Sequence, residues 1–416
     1  MARPVTPRWE ALDGPLGLPD NPPADEQARA GYATAARGAA DRGQRHRRIG
    51  KLRPFYEQDE DDAGFGALPL VNVHVSARNG TREFACEPGE KILHAGLRNG
   101  VELPYECATG TCGTCKATLL GGLVESEWPE APGGRYLKSA AELLMCQSVA
   151  REACRLEVAI ALKAPGPPAP APRTLGGIVR APRRLTHDVI AFDLDLDEPI
   201  DFEAGQFALL TMPGIRGARA YSMVNFDHRA GRLSFVVKKK PGGAVSDWLC
   251  GRDVEGARLG VFAPVGHATF RPGTRKHILC IAGGSGIAGM MSILARACDG
   301  DHFADWDGHV FFGVRTARDA FFLDELEAFR ARYPARVATT VALSDEEVSP
   351  ALAAAYPGFA FADGLVHAVA GERMKDRFAN IRAYVAGPPP MVDASLRLLL
   401  REGRLPPADI RYDKFS

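Results

Sequence analysis

Pro104-Tyr105-Glu106-Cys107-Ala108-Thr109-Gly110-Thr111-Cys112-Gly113-Thr114-Cys115-Lys116-Ala117 carries three cysteines in close succession, and a further one, Cys146, follows after a long gap. The resulting C-x4-C-x2-C…C spacing suits four thiolates converging on the two bridged irons of a 2Fe-2S cluster. A tight loop supplies three ligands and a distant strand end supplies the fourth. Gly110 and Gly113 let the backbone curl and aim its N–H groups at the sulfurs, which favours a centre that becomes more negative on reduction. Structural zinc is the competing reading, but it uses separated Cys or Cys/His pairs, and no histidine lies between Cys107 and Cys146. A disulfide framework fits poorly with nine cysteines, an odd number, in 416 residues. The other cysteines, Cys86, Cys154, Cys250, Cys280 and Cys298, lie in or beside apolar runs and read as small buried hydrophobes.

Working outward, the length gives room for about three domains. Lys plus Arg and Asp plus Glu both number 51, so net charge gives no argument for nucleic acid or an anionic membrane. There is no apolar run long enough to span a bilayer and no h-region of a signal peptide at the start. The expectation is a soluble cytoplasmic protein, monomeric alone, with partners recognised locally.

Residues 1–66 are rich in Pro, Gly, Ala and charge, with a basic block, RGQRHRRIGK, before an acidic one, EQDEDDAG. They read as a largely disordered N-terminal extension, with a transient helix over residues 24–42 and a docking arm as the functional alternative. Alternation at Val71, Val73 and Val75 and the Asn79-Gly80 turn predict a β-hairpin. A helix follows in EKILHAGLRNG, with Gly100 as its cap, and after Cys146 the run CRLEVAIAL predicts a closing strand to Leu162. Hairpin, helix, cysteine loop and late fourth ligand together resemble the plant-type ferredoxin domain, an α+β (β-grasp) fold assigned here to residues 67–162.

KAPGPPAPAPR, residues 163–173, is a stiff Pro/Ala linker. Over residues 174–273 short strands broken by Gly and Pro predict an antiparallel β-barrel. Over residues 274–416 apolar strands alternate with helical segments and predict an α/β parallel-sheet domain.

In the barrel region Arg219-Ala220-Tyr221-Ser222 matches the R-x-Y-S motif of the ferredoxin–NAD(P)H reductase superfamily, and Gly242, Gly243 and Ser246 resemble its G-x-x-S phosphate turn. The resemblance implies an FAD site. Arg219 would pair with a flavin phosphate, Tyr221 would pack on the isoalloxazine, and Ser222 would stand near flavin N5 as a catalytic residue. Gly243 and Ser246 would open a helix toward the pyrophosphate. Gly284, Ser285 and Gly286, between a strand and a helix, form a glycine turn that a dinucleotide can approach. They resemble the family's G-G-x-G-x-x-P, with Gly289 in the proline's place. Gly387, Pro388 and Met391 resemble its C-G-P-P-x-M under the nicotinamide, with Ala386 in place of the cysteine. Asp345, ahead of Glu346 and Glu347, would repel a 2′-phosphate and bond ribose hydroxyls, which favours NADH. Arg315 and Arg318 argue for NADPH. In several relatives a C-terminal aromatic covers the flavin, and Phe415 is the candidate here for that catalytic role.

Cluster module, flavin barrel and nicotinamide domain, in that order, resemble the reductase components of bacterial multicomponent oxygenases, such as those serving methane or toluene monooxygenases and benzoate or naphthalene dioxygenases. Flavin-first relatives that bind FMN carry the cluster at the C-terminus, so the domain order here favours FAD. The resemblance implies an oxidoreductase that passes electrons from NADH to FAD to the 2Fe-2S cluster and on to a diiron monooxygenase or Rieske dioxygenase. Two alternatives stay open: a reductase partner of a deoxysugar dehydratase, and a non-catalytic electron carrier.

Overall fold

Val73 and Val75 point inward from the strand Val71–Ala77 and are fully buried, as strict alternation requires of a sheet with one covered face. In this computed structural model, which describes residues 69–162 and 170–414, that strand pairs antiparallel with Gly80–Cys86 and parallel with Cys154–Glu157. The N-terminal extension, most of the Pro/Ala linker and Phe415 lie outside the described residues. Lys116–Gly121 and Glu142–Leu144 complete a five-stranded sheet, and the helix Ile92–Arg98 covers it with Ile92, Leu93 and Ala95. Gly100, at φ +74°, turns the chain out of that helix as a C-terminal glycine should. The closing strand is shorter than its apolar composition predicts: it ends at Glu157, and the chain beyond is tied by a side chain, Asn79 Nδ2 donating to Leu162 O at 2.8 Å.

The second module is a sheet of six strands, all antiparallel, in the order Arg219–Ser222, Phe207–Thr211, Arg258–Val265, Arg173–Arg184, Val189–Ile200, Ala230–Lys238. It curls until Val224 N, just past the first strand of that order, donates to Ser234 O on the last at 2.9 Å. The third module is a six-stranded parallel sheet in the order Ala360–Asp363, Val337–Leu343, Gly308–Val314, His277–Gly283, Ile381–Gly387, Ile410–Lys414. Its strand order reverses between His277–Gly283 and Ile381–Gly387, the place where open α/β sheets bind ligands beyond the strands' carboxyl ends. Both strands end there in a glycine of the predicted nicotinamide motifs. The last strand, Ile410–Lys414, is an element the sequence reading leaves unassigned, because the alternation of Ile410 and Tyr412 with charged residues carries little apolar signal.

The three modules cluster into one unit, Leu68–Ser416. The cluster module and the barrel share a core: Leu97, Leu103 and Tyr105 of the first are buried together with Phe207, Leu209, Phe262 and Val265 of the second. His94 stacks on Phe262 with ring centroids 3.9 Å apart and planes at 7°. Tyr105 adds a polar pin, its hydroxyl accepting from Gly266 N at 2.9 Å. Among the described residues no helix is long and apolar enough to cross a membrane.

Candidate functional site

The cysteine loop has positive φ at Ala108 (54°), Gly110 (80°) and Gly113 (78°), and this curl turns amides toward sulfur. Thr109 N and Cys112 N both donate to Cys107 Sγ at 3.4 Å, and Thr114 N donates to Cys112 Sγ at 3.5 Å. The fourth cysteine arrives by strand pairing. Lys116 is in register with Leu144, Met145 N donates to Cys115 O at 3.0 Å, and the next residue, Cys146, brings its sulfur to 3.1 Å from Cys115 Sγ. Gln147 Nε2 donates to Cys146 Sγ at 3.5 Å, and Gln147 also lies over Gly110, where a Cβ would come within 2.9 Å of its Cγ. The sequence reading did not single out Gln147, since a lone glutamine beside a ligand has no spacing signature.

Hydrogen bonding from the Cys112 thiol, followed by Thr109, pulls the Cys107 thiol down to about 4 against the effect of burial. Cys115 and then Gln147 pull Cys146 down likewise, while Cys112 and Cys115 are pushed up as the donating partners. Four converging sulfurs with N–H donors aimed at them fit an anionic iron–sulfur centre. Cys107, Cys115 and Cys146 are buried and Cys112 is half-buried, so the loop has an inner and an outer side. Among the described residues no such donors reach the remaining cysteines: burial pushes Cys86 and Cys298 up to about 12 and Cys154 to about 11.

On the barrel, the strand Arg219–Ser222 pairs with Phe207–Thr211, and Phe207 faces Ser222. Ser222 Oγ is buried with no hydrogen-bond partner among the described residues, which is costly unless a ligand completes it. Burial pushes the Tyr221 phenol up, keeping it a neutral ring. Gly242, at φ +68°, leads into the helix Ala244–Cys250 with Gly243 at its N-terminus. Ser246 is spent on this turn: its hydroxyl accepts from Lys240 N at 3.0 Å and lies 3.0 Å from Gly243 O.

The glycine turn Gly284–Gly286 opens the helix Ile287–Asp299, which runs between the parallel sheet and the barrel. A Cβ at Gly289 would stand 3.5 Å from Ser222 Oγ, so this helix meets the barrel at the unpaired hydroxyl. Ser292 holds it there, accepting from Gly205 N of the barrel at 2.9 Å and donating to Gly289 O at 2.9 Å. Gly286 is pressed against the Ala386 carbonyl and the Gly387 amide, and Gly283 lies under Met391 and Pro388. The structure therefore brings Ser222, Gly284, Ser285, Gly286, Gly387, Pro388 and Met391 into one neighbourhood. Asp345 stands two strands out from His277–Gly283, after Val337–Leu343; its carboxylate lies 3.7 Å from Arg315 Nε and accepts from Ser344 Oγ at 2.7 Å. Arg315, whose charge argues for NADPH when read alone, is thus paired. Glu346 accepts from Ala317 N at 2.8 Å and ties the two loops together.

A cleft of about 920 Å³ opens where the three modules meet, lined among others by Cys107, Tyr105, Phe207, Gly266, Tyr412 and Asp413. Cys107, one of the three buried cluster ligands, and Phe207, the register partner of Ser222, thus line the same space.

Three family models match successive stretches of the chain. Residues 76–151 match the 2Fe-2S iron-sulfur cluster binding domain, residues 177–270 the oxidoreductase FAD-binding domain, and residues 280–396 the oxidoreductase NAD-binding domain. The chain is 37% identical over 335 residues to a ferredoxin–NAD(P)(+) reductase of Metapseudomonas resinovorans, covering 79% of this chain and 96% of the relative. It is 35% identical to the ferredoxin–NAD(+) reductase component of the alkene monooxygenase system of Xanthobacter autotrophicus, covering 81% and 99%. A solved structure described as the ferredoxin reductase in carbazole 1,9a-dioxygenase aligns with a TM-score of 0.70 at 34% identity, over 84% of this chain and 100% of that one.

Proposed function

The chain belongs to the ferredoxin–NAD(P) reductase components of multicomponent oxygenases, and on that premise we propose that it feeds a terminal oxygenase along a route defined by Ser222, Cys107 and Cys112. When bound, NADH would supply a two-electron hydride, FAD would provide the exchange between two-electron and one-electron chemistry, and the 2Fe-2S cluster would offer the single electrons that an oxygenase active site requires.

The chain's own residues do the rest. Gly284, Ser285 and Gly286 would let the dinucleotide pyrophosphate approach the backbone at the sheet's reversal point. Gly387, Pro388 and Met391 would form the floor beneath the nicotinamide, and Asp345 would receive the ribose. Arg219, with the turn made by Gly242, Gly243 and Ser246, would hold the flavin phosphates, and Tyr221 would pack on the ring. Ser222 would present its hydroxyl to the reacting edge of the flavin, where the nicotinamide helix meets the barrel at Gly289. Cys107 would face the flavin across the cleft, and the less buried Cys112 would face the acceptor protein. Cys115 and Cys146 would complete the ligand set.

The observation that carries this reading is the buried, unpaired Ser222 hydroxyl set against the nicotinamide helix. Its test is anaerobic stopped-flow bleaching of the flavin by NADH. Ser222→Ala should keep FAD bound and slow bleaching by about a hundred-fold, the order of the cost of losing a donor at a reacting centre. An unchanged rate with FAD in place would remove Ser222 from the hydride step. Reduction of a purified diiron or Rieske oxygenase by the wild-type protein tests the acceptor class.

A further inference from the structure

Trp128 belongs to the cluster module by sequence, yet its ring lies on the barrel's Arg219, with the guanidinium carbon 5.4 Å from the ring centroid. Arg219 Nη1 donates to Ala218 O at 2.9 Å, and no carboxylate pairs with Arg219 among the described residues. The barrel is shaped for the indole. Gly217 has φ +76°, and a Cβ there would stand 3.3 Å from Trp128 Cε3 and 3.4 Å from Arg219 Nη1. On its own side, the loop carrying Trp128 is tied at both ends to residues that flank the cluster ligands. Glu127 N donates to Gln147 O at 2.8 Å, and Gly133 N donates to Gly110 O at 2.7 Å. Gln147 in turn donates to Cys146 Sγ.

We propose that Trp128 is a flavin-positioning residue supplied by the cluster module, and that FAD binding and the seating of that module on the barrel are therefore linked. The inference rests on the reading of Arg219 as the flavin-phosphate partner. An indole face beneath the guanidinium restricts its swing and leaves the N–H groups other than the one given to Ala218 O to face a phosphate. Because coupling between two binding events is reciprocal, whatever factor the seated indole adds to FAD affinity, bound FAD adds to the seating.

The experiment is a titration of FAD into deflavinated protein, read by quenching of flavin fluorescence, with visible absorbance of the cluster confirming that the module is intact. Trp128→Phe keeps an aromatic face and should bind FAD within about two-fold of wild type, whereas Trp128→Leu keeps apolar bulk without a π-face and should weaken binding about five-fold. Arg219→Ala should weaken it more, and adding Trp128→Leu to that background should change nothing further, because the two act as one unit. Hydrogen exchange gives the reverse direction: adding FAD should slow amide exchange over residues 124–150 in wild type and not in Trp128→Leu. If Arg219→Ala weakens FAD binding while Trp128→Leu binds like wild type, the inference is overturned and the phosphate role of Arg219 stands. If Arg219→Ala binds FAD normally, the phosphate role itself fails, and the linkage with it.

Discussion

Cys107, Cys112 and Cys115 sit on one loop whose own amides point at the sulfurs of Cys107 and Cys112, whereas Ser222, Gly289 and Gly387 come from a barrel strand, a helix and the carboxyl end of an inner sheet strand that meet only when two modules are packed together. The first kind of site is built by local backbone geometry, and its one distant member, Cys146, is delivered by the register of a short strand pair. The second kind is built by tertiary packing, and it depends on residues with no chemistry of their own, such as Ser292 and Gly286. The two sites should therefore fail independently: damage to the loop should spare hydride transfer, and damage to the packed site should spare the cluster.

The largest effect is expected from Cys112→Ala. Losing one of four thiolates should remove the cluster or its function, so NADH-driven reduction of cytochrome c should fall to background. Reduction of ferricyanide, which can take electrons from the flavin directly, should stay near the wild-type rate. If both activities vanish while FAD remains bound, the order of the electron path is wrong.

Gly286→Ala probes the other site. A Cβ there meets the Ala386 carbonyl and the Gly387 amide, which are backbone atoms and cannot turn aside. Overpacking of this kind costs roughly 1–3 kcal/mol, so kcat/KM for NADH should drop about ten-fold or more. The cluster spectrum should not change. A bleached cluster in this variant would show that the two sites share more structure than the comparison allows.

Coenzyme choice is a finer matter. Replacing Asp345 with Ser and Glu346 with Arg removes repulsion toward a 2′-phosphate, releases Arg315 from its ion pair, and adds a phosphate partner. A charge-assisted hydrogen bond is worth about 1.5–3 kcal/mol, so the NADPH:NADH ratio of kcat/KM should rise by about ten-fold. An unmoved ratio would place the adenine ribose elsewhere.

The contrast between the two sites also explains what could be read in advance. The cysteine spacing, the glycine turns at the ends of His277–Gly283 and Ile381–Gly387, and Gly100 beyond its helix all express local constraints, and local constraints leave local patterns. Gln147, Ser292, Trp128 and Tyr105 act through contacts with distant parts of the chain, and a single polar or aromatic residue carries no period or spacing to announce such a contact. Arg315 shows the same limit. Its charge is visible in the sequence, but its pairing with Asp345 requires two strand ends to be neighbours. The edge strand Ile410–Lys414 escaped because edge strands can be charged, and the parallel register that defines it exists only against Ile381–Gly387.

That edge strand supplies the smallest expected effect. Tyr412 Oη donates to Glu106 Oε1 at 3.3 Å, joining the nicotinamide module to the residue before a cluster ligand. Tyr412 is 37% exposed and the bond is long, so its net contribution should stay below about 1 kcal/mol. Tyr412→Phe keeps the ring and removes the hydroxyl. If the cluster loop is held by its own backbone and by the shared core around Tyr105 and Phe262, cytochrome c reduction should fall by no more than about two-fold and ferricyanide reduction not at all. A ten-fold loss confined to cytochrome c would place Tyr412 in the electron path. The loop would then take its working position from the far end of the chain, however local its ligands are.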